Sequence, residues 1–248
     1  MLLQLLRIPL IAVVWLSFRI ATTPPRPGPR REEQARAPEG RSIRLMRATL
    51  RPATLVRDSI ISAVLLADSI FTLVLCTPLT ARSSAFLFSM LTQFKDQSVI
   101  DIPAVTITPL FLVGVLLVTV GTYVRTRCFN ELGRLFTFDL ALRDRHELVT
   151  TGPYSIVRHP AYPARFVVLL GASICTFGAG SWWKETGQGR TVAGELVLAA
   201  WAAVIARDIV VLLFVMVPKE EKMLRKAFGK QWLDYAAQTP YKMILGVW

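Results

Sequence analysis

Both histidines of the 248-residue chain fall within fourteen positions of one another, among residue types that hold polar ligands. The stretch reads His146-Glu147-Leu148-Val149, then Gly152-Pro153-Tyr154, then Arg158-His159-Pro160-Ala161-Tyr162. Gly152-Pro153 demands a turn, and Pro160 steers His159 out of the α region towards an extended backbone. Two imidazoles, a guanidinium and two phenols are thereby gathered where the chain enters a long apolar run. A polar, partly rigid patch at a membrane edge is a place to expect a ligand site. The same composition also fits a plain helix start with interfacial tyrosines and a snorkelling arginine. A second cluster begins at Pro218, which suits the first turn of a helix, and Glu220 and Glu221 suit its positive end. Met223, Leu224, Ala227 and Phe228 recur at helical spacing with charges on the other face, which describes an amphipathic helix at a membrane surface. Gly229 is expected to end it, and Trp232 and Tyr235 to begin a second interfacial piece. Taken alone, the acidic pair is helix-start electrostatics. No Ser-His-Asp set or metal-ligand cluster accompanies these residues. Cys76, Cys128 and Cys175 are too widely spaced for a disulfide framework or a metal knuckle.

The elements that must position these clusters follow from composition. The chain is 53% hydrophobic with a mean hydropathy of +0.45, yet its formal charge is +12. The apolar surplus excludes disorder. Nucleic-acid binding is disfavoured, because the basic residues alternate with long uncharged runs. Five runs approach the roughly 20 residues a helix needs to cross a bilayer: Leu2 to Ile20, Ser59 to Leu79, Ala104 to Val124, Ala161 to Gly180 and Ala193 to Val217. The first is read as a retained span rather than a secretory signal, since Arg7 and Arg19 lie inside it and no clear small-residue cleavage site follows. Lys and Arg number nine in 22–57, six in 125–160 and six in 219–248, but two each in 80–103 and 181–192. That alternation puts the amino terminus outside the cytosol and the carboxyl terminus inside it, with Trp182 and Trp183 at the far interface. Pro24, Pro25, Pro27 and Pro29 make segment 22–57 begin as an extended, poorly ordered linker, and its arginines suit anionic headgroups. The expected fold is all-α: a polytopic membrane protein with about five transmembrane helices and a cytosolic C-terminal cofactor-binding region of short interfacial helices. Residues 1–103 form an N-terminal membrane region, and residues 104–248 a catalytic one.

Read together, the clusters resemble the isoprenylcysteine carboxyl methyltransferase family, membrane methyltransferases related to those of phospholipids. The resemblance rests on His146, Leu148-Val149, Gly152-Pro153-Tyr154, Val157-Arg158-His159-Pro160 and Tyr162. After a helical hairpin it continues in Glu220-Glu221, Leu224, Phe228-Gly229, Trp232 and Tyr235. It implies an S-adenosylmethionine-dependent enzyme that admits a lipid-modified substrate from the bilayer and methylates the C-terminal carboxylate of a prenylated cysteine, in the endoplasmic reticulum membrane of a eukaryotic cell. Carried over residue by residue, His146, Glu147, Leu148, Val149, Tyr154, His159, Pro160, Ala161 and Tyr162 line the cofactor site, completed by Glu221 with its neighbour Glu220. Chemically, Arg158 and His159 suit the cofactor's carboxylate, Glu221 its ammonium or ribose hydroxyls, and Leu148, Val149 and Tyr162 its adenine. The carboxylate acceptor is already ionised at neutral pH, so no general base is needed.

The sequence also departs from the family. Many members carry an arginine four residues before the second glutamate, where this chain has Val217. Ala164 replaces a common glycine, and Arg165 stands where an apolar or aromatic residue is usual. Arg165 is therefore a candidate contact for the substrate carboxylate, with snorkelling as the plainer alternative. Arg207 and Asp208 suit an intramembrane polar contact, and Asp68 either faces other helices or marks a break. Other readings are a methyltransferase for a phospholipid amine or other lipophilic molecule, a non-catalytic membrane scaffold, and, more distantly, a membrane sterol reductase. Oligomeric state is not legible.

Overall fold

A computed structural model describes residues 2–35, 40–76 and 105–246, and among these the chain is helical with no strand. A turn of helix at Leu2–Leu5 precedes α1 (Arg7–Thr22). Then follow α2 (Arg41–Cys76), α3 (Pro109–Leu132), α4 (Ala161–Phe177), α5 (Val192–Val211), α6 (Val217–Phe228) and α7 (Lys230–Gln238). Three helices among the described residues are long and apolar enough to cross a membrane: α2, the stretch Pro109–Leu135 and the continuous stretch Val192–Phe228. The chain is thus an integral membrane protein by the length and composition of its helices. The first and fourth apolar runs yield shorter elements. α1 has 16 residues, while α4 has 17 and stops just before Gly178 and the left-handed Gly180. Residues 77–79 of the second run, Ala104 of the third and the whole of segment 80–103 lie outside the described residues.

The irregular start expected of segment 22–57 is found at residues 23–30, while its second half is the start of α2, which begins at Arg41 and carries Pro52 inside it. Arg, Leu, Met and Ala are strong helix formers, and they outweigh the linker character that the upstream prolines suggest. Likewise the amphipathic segment is no separate helix. α5 passes through a π-helical turn at Leu212–Met216 directly into α6. Pro218 has no N–H to offer the preceding turn, and the widened turn just before it relieves the clash of its ring with that backbone. Gly229 ends α6 with a φ of 52°.

The chain forms two compact units, to each of which α2, α3, α4 and α5 contribute a part: unit 1 (Met1–Arg19, Leu55–Val120, Val168–Ala203) and unit 2 (Ile20–Thr54, Gly121–Val167, Val204–Trp248). In unit 1, Arg7 and Asp68 are buried together. The guanidinium donates from Nε and Nη2 to the two carboxylate oxygens at 2.8 and 2.9 Å, and from Nη1 to the Thr106 carbonyl at 2.6 Å. Asp68 also accepts from the Trp182 N–H at 3.0 Å, and the Phe111 ring lies 4.1 Å from the guanidinium carbon. Asp68 is therefore an interhelical partner, not a break. Trp182 and Trp183, expected at the far interface, pack inward with Val64, Phe71 and Val105. α3 and α4 cross at Gly114 and Gly171, where a Cβ on Gly171 would stand 2.6 Å from the Gly114 carbonyl oxygen. Small residues permit that approach.

In unit 2, Ile43, Met46, Leu140, Met216 and Met223 form one apolar cluster, and Leu212, Val217 and Met243 another. Removing one partner of the Arg7–Asp68 pair strands a buried charge, so Asp68→Ala should lower stability by about 3–5 kcal/mol. The paired replacement Arg7→Met with Asp68→Leu should cost far less. Unfolding in detergent micelles measures both.

Candidate functional site

His159 is placed by backbone rather than by its own side chain. The N–H groups of Arg158 and His159 donate to the carbonyls of Tyr241 (3.0 Å) and Lys242 (2.7 Å), which ties the turn before α4 to the chain after α7. Pro160 follows and α4 starts at Ala161, as its ring geometry favours. The buried His159 ring then lies between two carboxylates of α6. Nδ1 is 3.5 Å from Glu220 and Nε2 is 3.5 Å from Glu221. Nε2 makes no hydrogen bond among the described residues. Burial opposes charge on the imidazole, but the two carboxylates outweigh it and lift its pKa to about 9. His159 is thus an imidazolium at neutral pH. Tyr162 stacks on it at 5.7 Å and donates its hydroxyl to Glu220 at 2.7 Å. Arg158 donates from Nε to Glu221 at 2.8 Å and from Nη1 to the carbonyls of Thr239 and Pro240, both at 2.7 Å. Three cations and two carboxylates thus meet at one place, Lys242 coming within 4.0 Å of Glu221.

Beside this cluster unit 2 encloses a cavity of about 140 Å³. Of the residues expected at a ligand site, His146, Glu147, Leu148, Val149, Tyr154, Arg158, His159, Ala161, Tyr162, Arg165 and Glu220 line it. Pro160 and Glu221 are not in its wall. Pro160 shapes the turn, and Glu221 stands behind Arg158 and His159. Much of Arg158's hydrogen bonding goes to the protein itself. The walls are apolar at Leu148, Val149, Leu135, Phe136, Leu140 and Leu224. His146 accepts from the Arg143 N–H at Nδ1 (3.3 Å) and packs on Phe228. Burial, helped by the cations of Arg134 and Arg143, lowers its pKa against the opposing pull of Glu220. Tyr154 is held by the Gly152–Ser155 turn and receives the Tyr235 hydroxyl at its carbonyl, 2.8 Å away. Gly152 adopts a φ of 58°, and a Cβ there would stand 2.9 Å from the Glu131 carboxyl, which also accepts from the Thr151 hydroxyl.

The cavity has contributors that the motifs did not reveal. Arg125, buried at the end of α3, donates to the carbonyls of Ala21 and Ala161 (2.7 Å for Ala161) and lies over the rings of Phe129 and Phe138. The Phe four residues on was its only sequence signal. Asp139 and Leu140 are held by Arg47 of α2, at 3.0 and 3.2 Å, so the segment read as a linker supplies Met46 and Leu50 to the wall. Arg207 and Asp208 also line it and pair at 2.8 Å, and Arg165 donates to the other oxygen of Asp208. Val217, the family's arginine position, is fully buried in the apolar cluster with Leu212 and Met243.

Residues 113–181 match the isoprenylcysteine carboxyl methyltransferase family. The matched region contains the stretch His146 to Tyr162 and ends before Glu220. The chain is similar to protein-S-isoprenylcysteine O-methyltransferase B of Arabidopsis thaliana, with 28% identity over 51% of this chain and 55% of the relative. It is 30% identical, over 51% of this chain and 57% of the relative, to a probable protein-S-isoprenylcysteine O-methyltransferase of Oryza sativa subsp. indica. It is also 30% identical, over 53% of this chain and 48% of the relative, to the nickel-cobalt-cadmium resistance protein NccN of Alcaligenes xylosoxydans xylosoxydans. The chain thus spans about half the length of the curated relatives it matches. The family resemblance read from the motifs is borne out by these likenesses.

With only two histidines, imidazole NMR resolves the site directly. One signal should titrate near 9 (His159) and the other below 6.5 (His146). Because His159 is raised, its contribution to stability is complete below about 6.5 and is lost as pH rises through about 9. Thermal unfolding followed from pH 6 to pH 10 should show that loss, and Glu220→Gln should move the His159 midpoint downward.

Proposed function

We propose that the chain is an S-adenosylmethionine-dependent methyltransferase of the membrane, methylating the C-terminal carboxylate of prenylated cysteine. Its carboxyl terminus would face the cytosol, in the endoplasmic reticulum where the cell has one. The observation that carries this reading is the His159 ring set between Glu220 and Glu221 at the wall of a cavity that also has apolar faces at Leu148, Val149 and Leu224. The donor set suits the cofactor. Glu220, with 30% of its side chain still exposed, can accept from a cationic or hydroxyl-bearing ligand. The unpartnered Nε2 of His159 is an orphaned donor that a ligand oxygen would satisfy. Leu148, Val149 and Tyr162 offer walls for a flat ring, with His146 and Glu147 at the same side of the chain. Pro160 and Ala161 set where α4 begins, and Tyr154 closes the turn.

Held by these residues, the cofactor would supply a methyl group to a carboxylate oxygen, the electron pair of the broken carbon–sulfur bond staying with sulfur. No proton is transferred, so the protein's task is alignment and exclusion of water. The charged groups at His159 are mutually paired and fixed, which lets them orient a ligand without collapsing onto it. A second reading keeps the chemistry and changes the acceptor to a phospholipid amine or other lipophilic molecule, which the apolar walls at Leu135, Phe136 and Leu140 would also suit.

Membranes carrying the protein, given methyl-labelled cofactor and an S-farnesylated cysteine derivative, should yield base-labile volatile label. Label in lipid instead would favour the second reading, and no label with no cofactor binding would reject both. Glu220→Gln and His159→Ala should each weaken cofactor binding at least tenfold, the loss of one or two charge-assisted hydrogen bonds. Equilibrium binding of labelled cofactor reads this out.

A further inference from the structure

The cavity has a second charged region, on α4 and α5, that binding a methyl donor leaves unused. Asp208 stands between two guanidiniums there. Arg207 is saturated: Nη1 donates to Asp208 at 2.8 Å, and Nη2 to the Thr49 hydroxyl at 2.9 Å and the Met46 carbonyl at 3.1 Å. Arg165 is not. Among the described residues its hydrogen bonding is confined to Nη2 on Asp208, while its Nε is buried without a partner. Its side chain is only 14% exposed and lines the cavity. Two cations therefore share one carboxylate, which leaves one positive charge in a largely desolvated place. In the His159 cluster both carboxylates are already engaged by Arg158, His159 and Lys242, so none there is left to compensate this one.

We infer that Arg165 holds the anionic head of the acceptor, a carboxylate at the end of a lipid-modified chain, with Asp208 as the residue that aims it and Arg207 as the post that fixes Asp208. This rests on the methyl-transfer reading and deepens it by deciding the acceptor's charge. A guanidinium with unspent donors matches a carboxylate, whereas a protonated amine would meet like charge. Leu50, Val211 and Leu212 line the same cavity and offer apolar wall for the lipid part. Position 217 offers no cation, since Val217 is sealed among apolar side chains. The acidic and basic residues that line the cavity besides this trio are Arg125, Asp139, His146, Glu147, Arg158, His159 and Glu220. Of these, Asp139 is taken by Arg47, Arg158 by Glu221, and Glu220 by His159 and Tyr162.

The test compares an S-farnesylated N-acetylcysteine with its carboxamide, as competing ligands of the full-length protein in detergent, and measures donor affinity in parallel. The wild type should bind the acid more tightly than the amide by roughly ten- to a hundredfold, the range expected for one charge-assisted contact. Arg165→Leu should bind donor as the wild type does and lose that preference, and Arg165→Lys should keep part of it. Where Arg165→Leu loses donor binding as well, Arg165→Gln carries the same comparison. An acid preference that persists without Arg165 overturns the inference and leaves the donor site standing. A wild type that binds the acid but no methyl donor overturns the methyl-transfer reading and leaves the anion site standing.

Discussion

A buried imidazolium needs counter-charge close by, and His159 has it on two sides. Satisfying that need fixes where the other elements of unit 2 must be. Glu220 and Glu221 can stand beside the ring only if α6 begins where it does. Arg158 can neutralise Glu221 only if the chain at 239–242 comes back to receive its Nη1 and the neighbouring backbone N–H groups. Each polar atom thereby settles a neighbour, and the cost of leaving any one unpaired away from water holds the set together. The cavity is the space left beside this arrangement, walled by apolar side chains such as Leu148, Val149 and Leu224 and by the charged residues of α4 and α5.

How legible this was in the sequence varied with the kind of signal. The histidine stretch and the Glu220-Glu221 pair were visible because Gly152-Pro153, His159-Pro160 and Pro218 are punctuation whose backbone meaning is local. Gly229 was read correctly as the stop of α6 for the same reason. Arg125 and the Asp139 loop were not visible as wall residues, since what puts them there is contact with Ala21, Ala161 and Arg47, far away in sequence. The first half of α2 is less legible, because the four upstream prolines speak only for the irregular chain at 23–30 and Arg41 onward carries helix-forming residues without a start signal of its own. Asp68 could be read only as an expensive residue in an apolar run. Its partner is itself an oddity in another run, Arg7, and neither names the other without the fold.

The two charged regions of the cavity differ in kind. Around His159 two carboxylates and three cations stand together and donors are mostly spent, which suits a ligand that carries charges of both signs. Around Asp208 a single carboxylate serves two guanidiniums, and one of these keeps donors in reserve. A site that must bring two different molecules together benefits from such contrast, because each end rejects the other's partner through unpaired or like charge.

The π-helical turn at Leu212–Met216 sets how these two regions face one another. On an unbroken α-helix, residues twelve apart such as Asp208 and Glu220 would point roughly 120° away from each other. A π turn accommodates one more residue than the α-helical turn it replaces, and so takes back roughly 100° of that rotation. Both carboxylates then look into the same cavity, as the lining residues record. The turn thus acts as a phase corrector: the polarity of the cavity is written in the number of residues between 208 and 220 as much as in their identity. A chain that retained every side chain and this spacing but closed the widened turn into plain α-helix would keep its composition, and swing Glu220 out of the chamber it serves, whereas loss of the extra residue together with the turn would leave the two carboxylates in phase.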